Sequence, residues 1–249
     1  MNTTANIFRF KRFEVVNERS AMKVNTDGVL LGAAMTIMPD DLRLLDIGTG
    51  TGTIALMAAQ RLSDMCDIQE SAHRIMAIDV DEPSASEAAV NFSNSPWRES
   101  LDAYNLSLDD FAAQSTDKYD LIFSNPPYFE DSLTAPDNRK STARHTSEGL
   151  SYRDIFEFAA YRLSEGGRVS LVLPADQQEA VCRYARMCGL YLFRILKVKT
   201  VPRKAPSRIV VEFLNHRVEM VEEVYITIQN GGKYTQEYLD LMKEFYIFA

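Results

Sequence analysis

A chain of 249 residues with 46% hydrophobic and 25% charged side chains has material for one large α/β domain with a sizeable core. No run approaches the roughly 20 apolar residues of a membrane span. The start, Met1-Asn2-Thr3-Thr4-Ala5, lacks an apolar signal core, and three cysteines without CxxC spacing beside three histidines make a poor zinc set. A cytoplasmic monomer without metal or membrane partner is therefore expected, and the net charge of −8 disfavours a nucleic-acid ligand unless basic residues are clustered.

In chain order, the first strand-like run is Leu42-Arg43-Leu44-Leu45-Asp46-Ile47, followed by Gly48-Thr49-Gly50-Thr51-Gly52 and a helical stretch over about 51–62. A second strand covers 74–79 and ends in Asp79, with a helix near 83–94 and a weaker strand over 101–107. A third apolar run, 118–124, stops at Asn125-Pro126-Pro127-Tyr128, because proline donates no ladder hydrogen bond and fixes φ. The segment 130–150 is polar and reads as a mobile substrate loop. A helix over 152–164, the turn Gly166-Gly167, a strand over 168–173 ended by Pro174, and a helix over 175–188 come next. The runs 190–200 and 207–214 then suit an antiparallel pair closing the sheet edge, and a last helix covers about 235–246. Strands alternating with helices predict βαβ units and a doubly wound α/β domain, its sheet mostly parallel and seven-stranded with one antiparallel strand.

Two motifs carry chemistry. Glycines at 48, 50 and 52 permit a tight turn and close approach of a ligand at a helix N-terminus. Asp79 is placed to accept hydrogen bonds from a ribose diol, or else to cap the next helix. A nucleoside-containing cofactor follows, and Asp46, two residues before the first glycine, suits the methionine ammonium of S-adenosylmethionine (SAM). The loop after 118–124 presents the Asn125 side chain, backbone carbonyls and the Tyr128 ring at one strand tip. Two acceptors beside an aromatic face suit a planar group bearing an NH2: adenine, cytosine or a glutamine amide.

With these motifs the chain resembles the class I SAM-dependent methyltransferases, a Rossmann-like family, and within them the bacterial enzymes that methylate N6 of adenine 37 in valine tRNA. The matching stretches are Phe8 to Phe13, Met22 to Ala33, Asn94-Ser95-Pro96-Trp97, Asn125 to Phe129, Ala143-Arg144-His145-Thr146 and Phe245-Tyr246-Ile247-Phe248. The resemblance implies SAM as cofactor, the anticodon loop of valine tRNA as substrate, and Asn125, Pro126, Pro127 and Tyr128 as the catalytic loop. It implies an N-terminal extension, 1–40, laid over the cofactor, with Lys23, Thr26 and Asp27 beside Asp46, Gly48, Gly50, Gly52, Asp79 and Asn125. Ser107 or Asp109 stands where the family often has an acid against the cofactor adenine amine. Phe129 would wall the pocket, and Arg144 and His145 would order a loop or bind phosphate. Rival readings are a protein glutamine-N5 methyltransferase, a DNA adenine methyltransferase and a non-catalytic RNA-binding module of the same fold. Only about 40 residues precede the first strand, too few for the helical domain of the first rival, and no insertion suits a DNA-recognition domain.

The acidic balance is uneven. Residues 194–217 carry seven basic side chains against one acid, Glu212, and residues 1–26 carry five against two. The segment 194–217, with Arg9, Lys11 and Arg12, is expected to form the tRNA-binding face, and the Pro202-to-Pro206 turn should project Arg203 and Lys204 toward phosphates, with Arg208 nearby.

Overall fold

The computed structural model describes residues 6–65, 73–128 and 149–249. A short hairpin, β1 (Ile7–Arg9) and β2 (Glu14–Val16), precedes helix α1 (Thr26–Ala34). The alternating region follows as β3 (Arg43–Ile47), α2 (Thr53–Met65), β4 (Arg74–Asp79), α3 (Glu82–Ser93), β5 (Leu101–Asn105), α4 (Leu108–Gln114), β6 (Tyr119–Ser124), α5 (Tyr152–Arg162), β7 (Leu163–Pro174) and α6 (Gln178–Met187). The chain ends as β8 (Tyr191–Lys199), β9 (Arg208–Leu214), β10 (Glu222–Thr227), the two-residue strands β11 (Gln229–Asn230) and β12 (Lys233–Tyr234), and α7 (Gln236–Met242).

The strand order is β10-β8-β9-β7-β6-β3-β4-β5, and among the described residues only β9 runs against its neighbours. The expected mostly parallel sheet with one antiparallel strand is therefore present, extended to eight strands. The β8–β9 pair does not close the edge as the sequence suggested: β9 sits inside, and β10 forms the border parallel to β8. The mostly exposed run Glu222-Glu223-Val224-Tyr225 gave no alternation from which to predict it.

Side chains that alternate along each strand feed two cores. Leu44, Ile75, Leu121, Phe123 and Val210 join α1, α2, α3 and α7 on one face. Leu45, Ile78, Ile122, Val169 and Val211 join α4, α5 and α6 on the other. Phe10, Val15 and Val29 to Leu31 belong to the first core, so the described part of the N-terminal extension is built into the sheet's cover.

Helix α1 matters for the site because its first turn carries Asp27. Asn25 caps it by accepting from the Gly28 N–H at 2.9 Å. Beyond its other end, the buried Glu212 carboxylate of β9 accepts from the Thr36 N–H (2.7 Å) and hydroxyl (2.9 Å), from Ser170 Oγ (2.8 Å) and from Arg194 (2.8 Å).

Candidate active site at the strand tips

The sheet order reverses between β3 and β6, which leaves a crevice at their carboxyl ends where open α/β sheets bind ligands. Ser124 Oγ donates to the Ile47 carbonyl at 2.6 Å and locks the two tips together. After β3 the glycine loop turns tightly, with φ of 71° at Gly48, 58° at Gly50 and 78° at Gly52, a region that strains other residues. At Gly52 a Cβ would also stand 2.5 Å from Phe92 of α3, so the loop packs there only with glycine.

Two carboxylates hold this loop. Asp79, at the tip of β4, accepts from the Gly50 N–H at 2.8 Å and from the Asp81 N–H at 2.9 Å, while Asp81 rather than Asp79 caps α3 through the Ser84 N–H. Burial raises the Asp79 pKa despite those bonds. Asp46 is fully buried: Oδ2 accepts from Thr49 Oγ1 at 2.7 Å, the Ala55 N–H in the first turn of α2 faces the carboxylate, and Oδ1 has no partner in hydrogen-bonding geometry among the described residues. Burial pushes its pKa up to about 7, with the Thr49 bond and the Ala55 N–H opposing the rise and nearby Asp79 adding to it.

Across the crevice, Asn125 is buried at the tip of β6, its Nδ2 3.4 Å from Met22 Sδ. The Tyr128 hydroxyl lies 3.0 Å from Asn125 Oδ1 and 3.0 Å from Asp27 Oδ2. Arg208, first residue of β9, donates from Nε to Asp27 Oδ2 at 2.8 Å and sets its guanidinium 5.3 Å from the Tyr128 ring centroid.

The segment over 16–22 is tied down by α3. Glu87, buried, accepts from the N–H groups of Glu18 (2.9 Å), Arg19 (2.6 Å) and Ser20 (3.2 Å). Asn91, one turn on, donates to the Val16 carbonyl (3.0 Å) and the Thr51 carbonyl (2.8 Å), so it joins the segment to the glycine loop. Neither residue was foreseen. The signal was present in Glu87 and Asn91, two polar groups at i,i+4 on the face of Ala88 and Phe92 that packs inward.

Residues 20–182 match the methyltransferase small domain family. A tRNA1(Val) (adenine(37)-N6)-methyltransferase of Bacteroides fragilis is 39% identical over 244 residues, covering 96% of this chain and 97% of that protein. One of the same name from Flavobacterium psychrophilum is 36% identical over 241 residues, covering 97% and 99%. The chain belongs to the tRNA1(Val) (adenine(37)-N6)-methyltransferase family. The crystal structure of a predicted O-methyltransferase from Agrobacterium tumefaciens superposes with a TM-score of 0.61 at 15% identity over 87% of this chain and 95% of that one, which shows the shared fold.

Members of this methyltransferase family draw the methyl group from SAM, and the β3 tip fits that molecule. The buried Asp46 carboxyl is, once ionised, suited to a cation, and the turn over Gly48 to Gly52 carries no Cβ at its three glycines. Of the other residues expected around the cofactor, those before α1 adjoin the loop, where a Cβ at Gly50 would lie 3.6 Å from the Met22 carbonyl oxygen. Lys23 donates from Nζ to the Glu18 carbonyl at 2.6 Å, and Thr26 opens α1. Asp27 faces Tyr128 and Arg208. Ser107 is the N-cap of α4, accepting from the Asp110 N–H at 3.0 Å and donating to Asp110 Oδ2 at 2.7 Å, so its side chain is committed to the helix. Phe129, Arg144, His145 and most of the segment 130–150 lie outside the described residues.

The basic strip is smaller than its composition suggests. Arg194 pairs with Glu212 and with Glu222 of β10, Lys197 with Glu223, and Arg208 with Asp27. Arg9 pairs with Glu14, Arg12 with Asp64, and Lys11 bonds the Lys243 and Ala249 carbonyls. Arg203 and Lys204 are exposed without an ion pair among the described residues, on the turn joining the ends of β8 and β9 at the catalytic side of the sheet.

Proposed function

We propose that this chain transfers a methyl group from SAM to the exocyclic N6 of adenine 37 in valine tRNA. The observation that carries this reading is the placement, on two strand tips joined by Ser124, of a buried carboxylate oxygen without a partner among the described residues and of the Asn125-Pro126-Pro127-Tyr128 acceptor loop. Gly48, Gly50, Asp46 and Asp79 would hold the cofactor, whose sulfonium supplies an electrophilic methyl group.

An adenine N6 lone pair is delocalised into the ring, so the chain's task is orientation. The Asn125 side-chain oxygen and the Pro126 carbonyl accept the two amine hydrogens and turn the lone pair toward the methyl group. Proximity of that kind contributes roughly 7–11 kcal/mol in favourable cases. The Tyr128 ring stacks on the extruded base, worth about 1–3 kcal/mol. Once methylated, the amine loses its proton readily to water, so no strong base is needed. Labelled SAM with unmodified valine tRNA, followed by nucleoside mapping, should place the label in N6-methyladenosine at position 37. Label only in protein glutamine would support the rival reading.

The pKa of Asp46 sets a pH dependence. In the free protein this group is protonated below about 7, and a bound cation favours its ionised form. Cofactor binding should therefore release a proton, and affinity should rise as pH passes upward through that value. Titration calorimetry in two buffers of different ionisation enthalpy measures the release, and an affinity flat in pH would mean that no cation reaches Asp46.

Asp79→Ala should weaken SAM binding by roughly 1–3 kcal/mol, since it removes charge-assisted hydrogen bonds to the ribose. Part of that effect comes from the Gly50 N–H, which Asp79 holds in the free protein. Unchanged affinity by calorimetry would place the ribose against another residue. At the turn, Arg203→Glu with Lys204→Glu should weaken tRNA binding and lower its salt slope by about 0.7–0.9 for each phosphate no longer neutralised, with SAM affinity unchanged. Filter binding across a salt series checks this, and wild-type behaviour would leave the turn a solvated surface.

A further inference from the structure

Asp27, Tyr128 and Arg208 come from α1, the catalytic loop and β9 and meet at one carboxylate oxygen. Asp27 Oδ2 is 2.8 Å from Arg208 Nε and 3.0 Å from the Tyr128 hydroxyl, which is also 3.0 Å from Asn125 Oδ1. The side chains of Asp27 and Arg208 are 19% and 34% exposed, so the pair is partly shielded from water. A phenol carries one proton, and here two acceptors stand at equal distance from it. Hydrogen bonds to a carboxylate are the stronger kind, and Asp27 also sits in the first turn of a helix, where negative charge is favoured. Burial and then Asp27 raise the Tyr128 pKa, so the hydroxyl remains a donor.

With its hydrogen directed at Asp27, the Tyr128 oxygen faces Asn125 with lone pairs only. A carbonyl oxygen opposite it would be repelled, whereas an amide NH2 would be bound. The two ends of an Asn side chain exchange places by rotation of the amide. We infer that Asp27, held by Arg208, is a positioning residue: by accepting the Tyr128 hydrogen bond it makes Tyr128 accept from the Asn125 NH2, and so turns the Asn125 carbonyl toward the amine to be methylated. Without Asp27 the hydroxyl donates to Asn125 Oδ1, and the NH2 is left facing an amine that is itself a donor. The position taken by the carbonyl is the one beside Met22, whose side chain is 41% exposed.

The inference rests on the amine-methylation reading, and it departs from the placement of Asp27 over the cofactor. It also gives Arg208 a task other than phosphate binding, while Arg208 Nη1 donates to the Ser207 carbonyl at 2.9 Å and so joins the cluster to the basic turn.

The test is a double-mutant cycle with the full chain and valine tRNA. Asp27→Asn should lower kcat roughly 10–100-fold, the range of coupling between contacting residues, with the KM for tRNA and the SAM affinity nearly unchanged. Asp27→Glu should recover part of the rate. Because Asp27 acts through the Tyr128 hydroxyl, Asp27→Asn combined with Tyr128→Phe should be no slower than the slower single variant. Additive effects, or an effect confined to SAM affinity, would overturn the inference. A second readout needs no turnover: the side-chain NH2 resonances of Asn125 in the free protein should move in both Tyr128→Phe and Asp27→Asn. Resonances that stay put overturn the positioning role, whereas resonances that move in a protein that methylates no tRNA would sink the functional reading alone.

Discussion

Asn125→Ala should lower kcat by on the order of 10²–10³-fold, as removal of one preorganised polar group does elsewhere, and leave SAM affinity almost intact. The expected separation comes from geometry. Asn125 bonds toward Met22 and Tyr128, on the acceptor side of the crevice, while the glycine loop is held by Asp46 through Thr49 and by Asp79. Truncating the side chain removes the amine's acceptor without touching the loop. Asn125→Asp, which keeps two acceptor oxygens, should retain more activity than the alanine variant because acceptance is the property that matters. Single-turnover rates with saturating tRNA, beside calorimetry of SAM, give both numbers. Most of the wild-type rate surviving in Asn125→Ala would mean that the amine is oriented elsewhere.

Much of this site was legible before any coordinates. Buried strands announce themselves as short apolar runs with abrupt stops, so β4 falls on the predicted 74–79 and β6 ends at the predicted proline pair. The glycine loop and Asn125 lie where the motif spacing puts them, because both are fixed by the backbone of the adjoining strand. What escaped was carried by contacts between distant segments. Helix α1 is short and nearly all buried from Gly28 to Gly32, so it shows no amphipathic period. The charge census overstated the basic strip because it counts charges and not their partners. Arg194 lies beside Glu222 in the β8–β10 register, and Lys197 bonds Glu223, on a strand the sequence did not reveal. Asp27 was read as a cofactor residue on resemblance alone, and only the meeting of α1, β9 and the catalytic loop shows which groups it holds.

The single acid in that strip accounts for the other large effect. Glu212→Ala should destabilise the fold by about 3–5 kcal/mol, the usual result of stripping one partner from a buried pair, against a total stability of roughly 5–15 kcal/mol. Glu212 is fully buried, and its removal strands the Thr36 N–H and hydroxyl, Ser170 Oγ and one side of Arg194. Arg194 keeps the Ala34 carbonyl and Glu222, which places the expectation at the lower end of the range. Glu212→Gln retains the shape and one acceptor, so it should cost less. Glu212 pins the segment just beyond the C-terminal end of α1, whereas Asp27 sits in its first turn, roughly 13 Å away at 1.5 Å per residue. The rate per folded molecule should accordingly survive at low temperature while the urea midpoint falls. A midpoint shift worth less than about 1 kcal/mol, near the value of one ordinary hydrogen bond, would show that water replaces the carboxylate and that α1 is held by its apolar face alone.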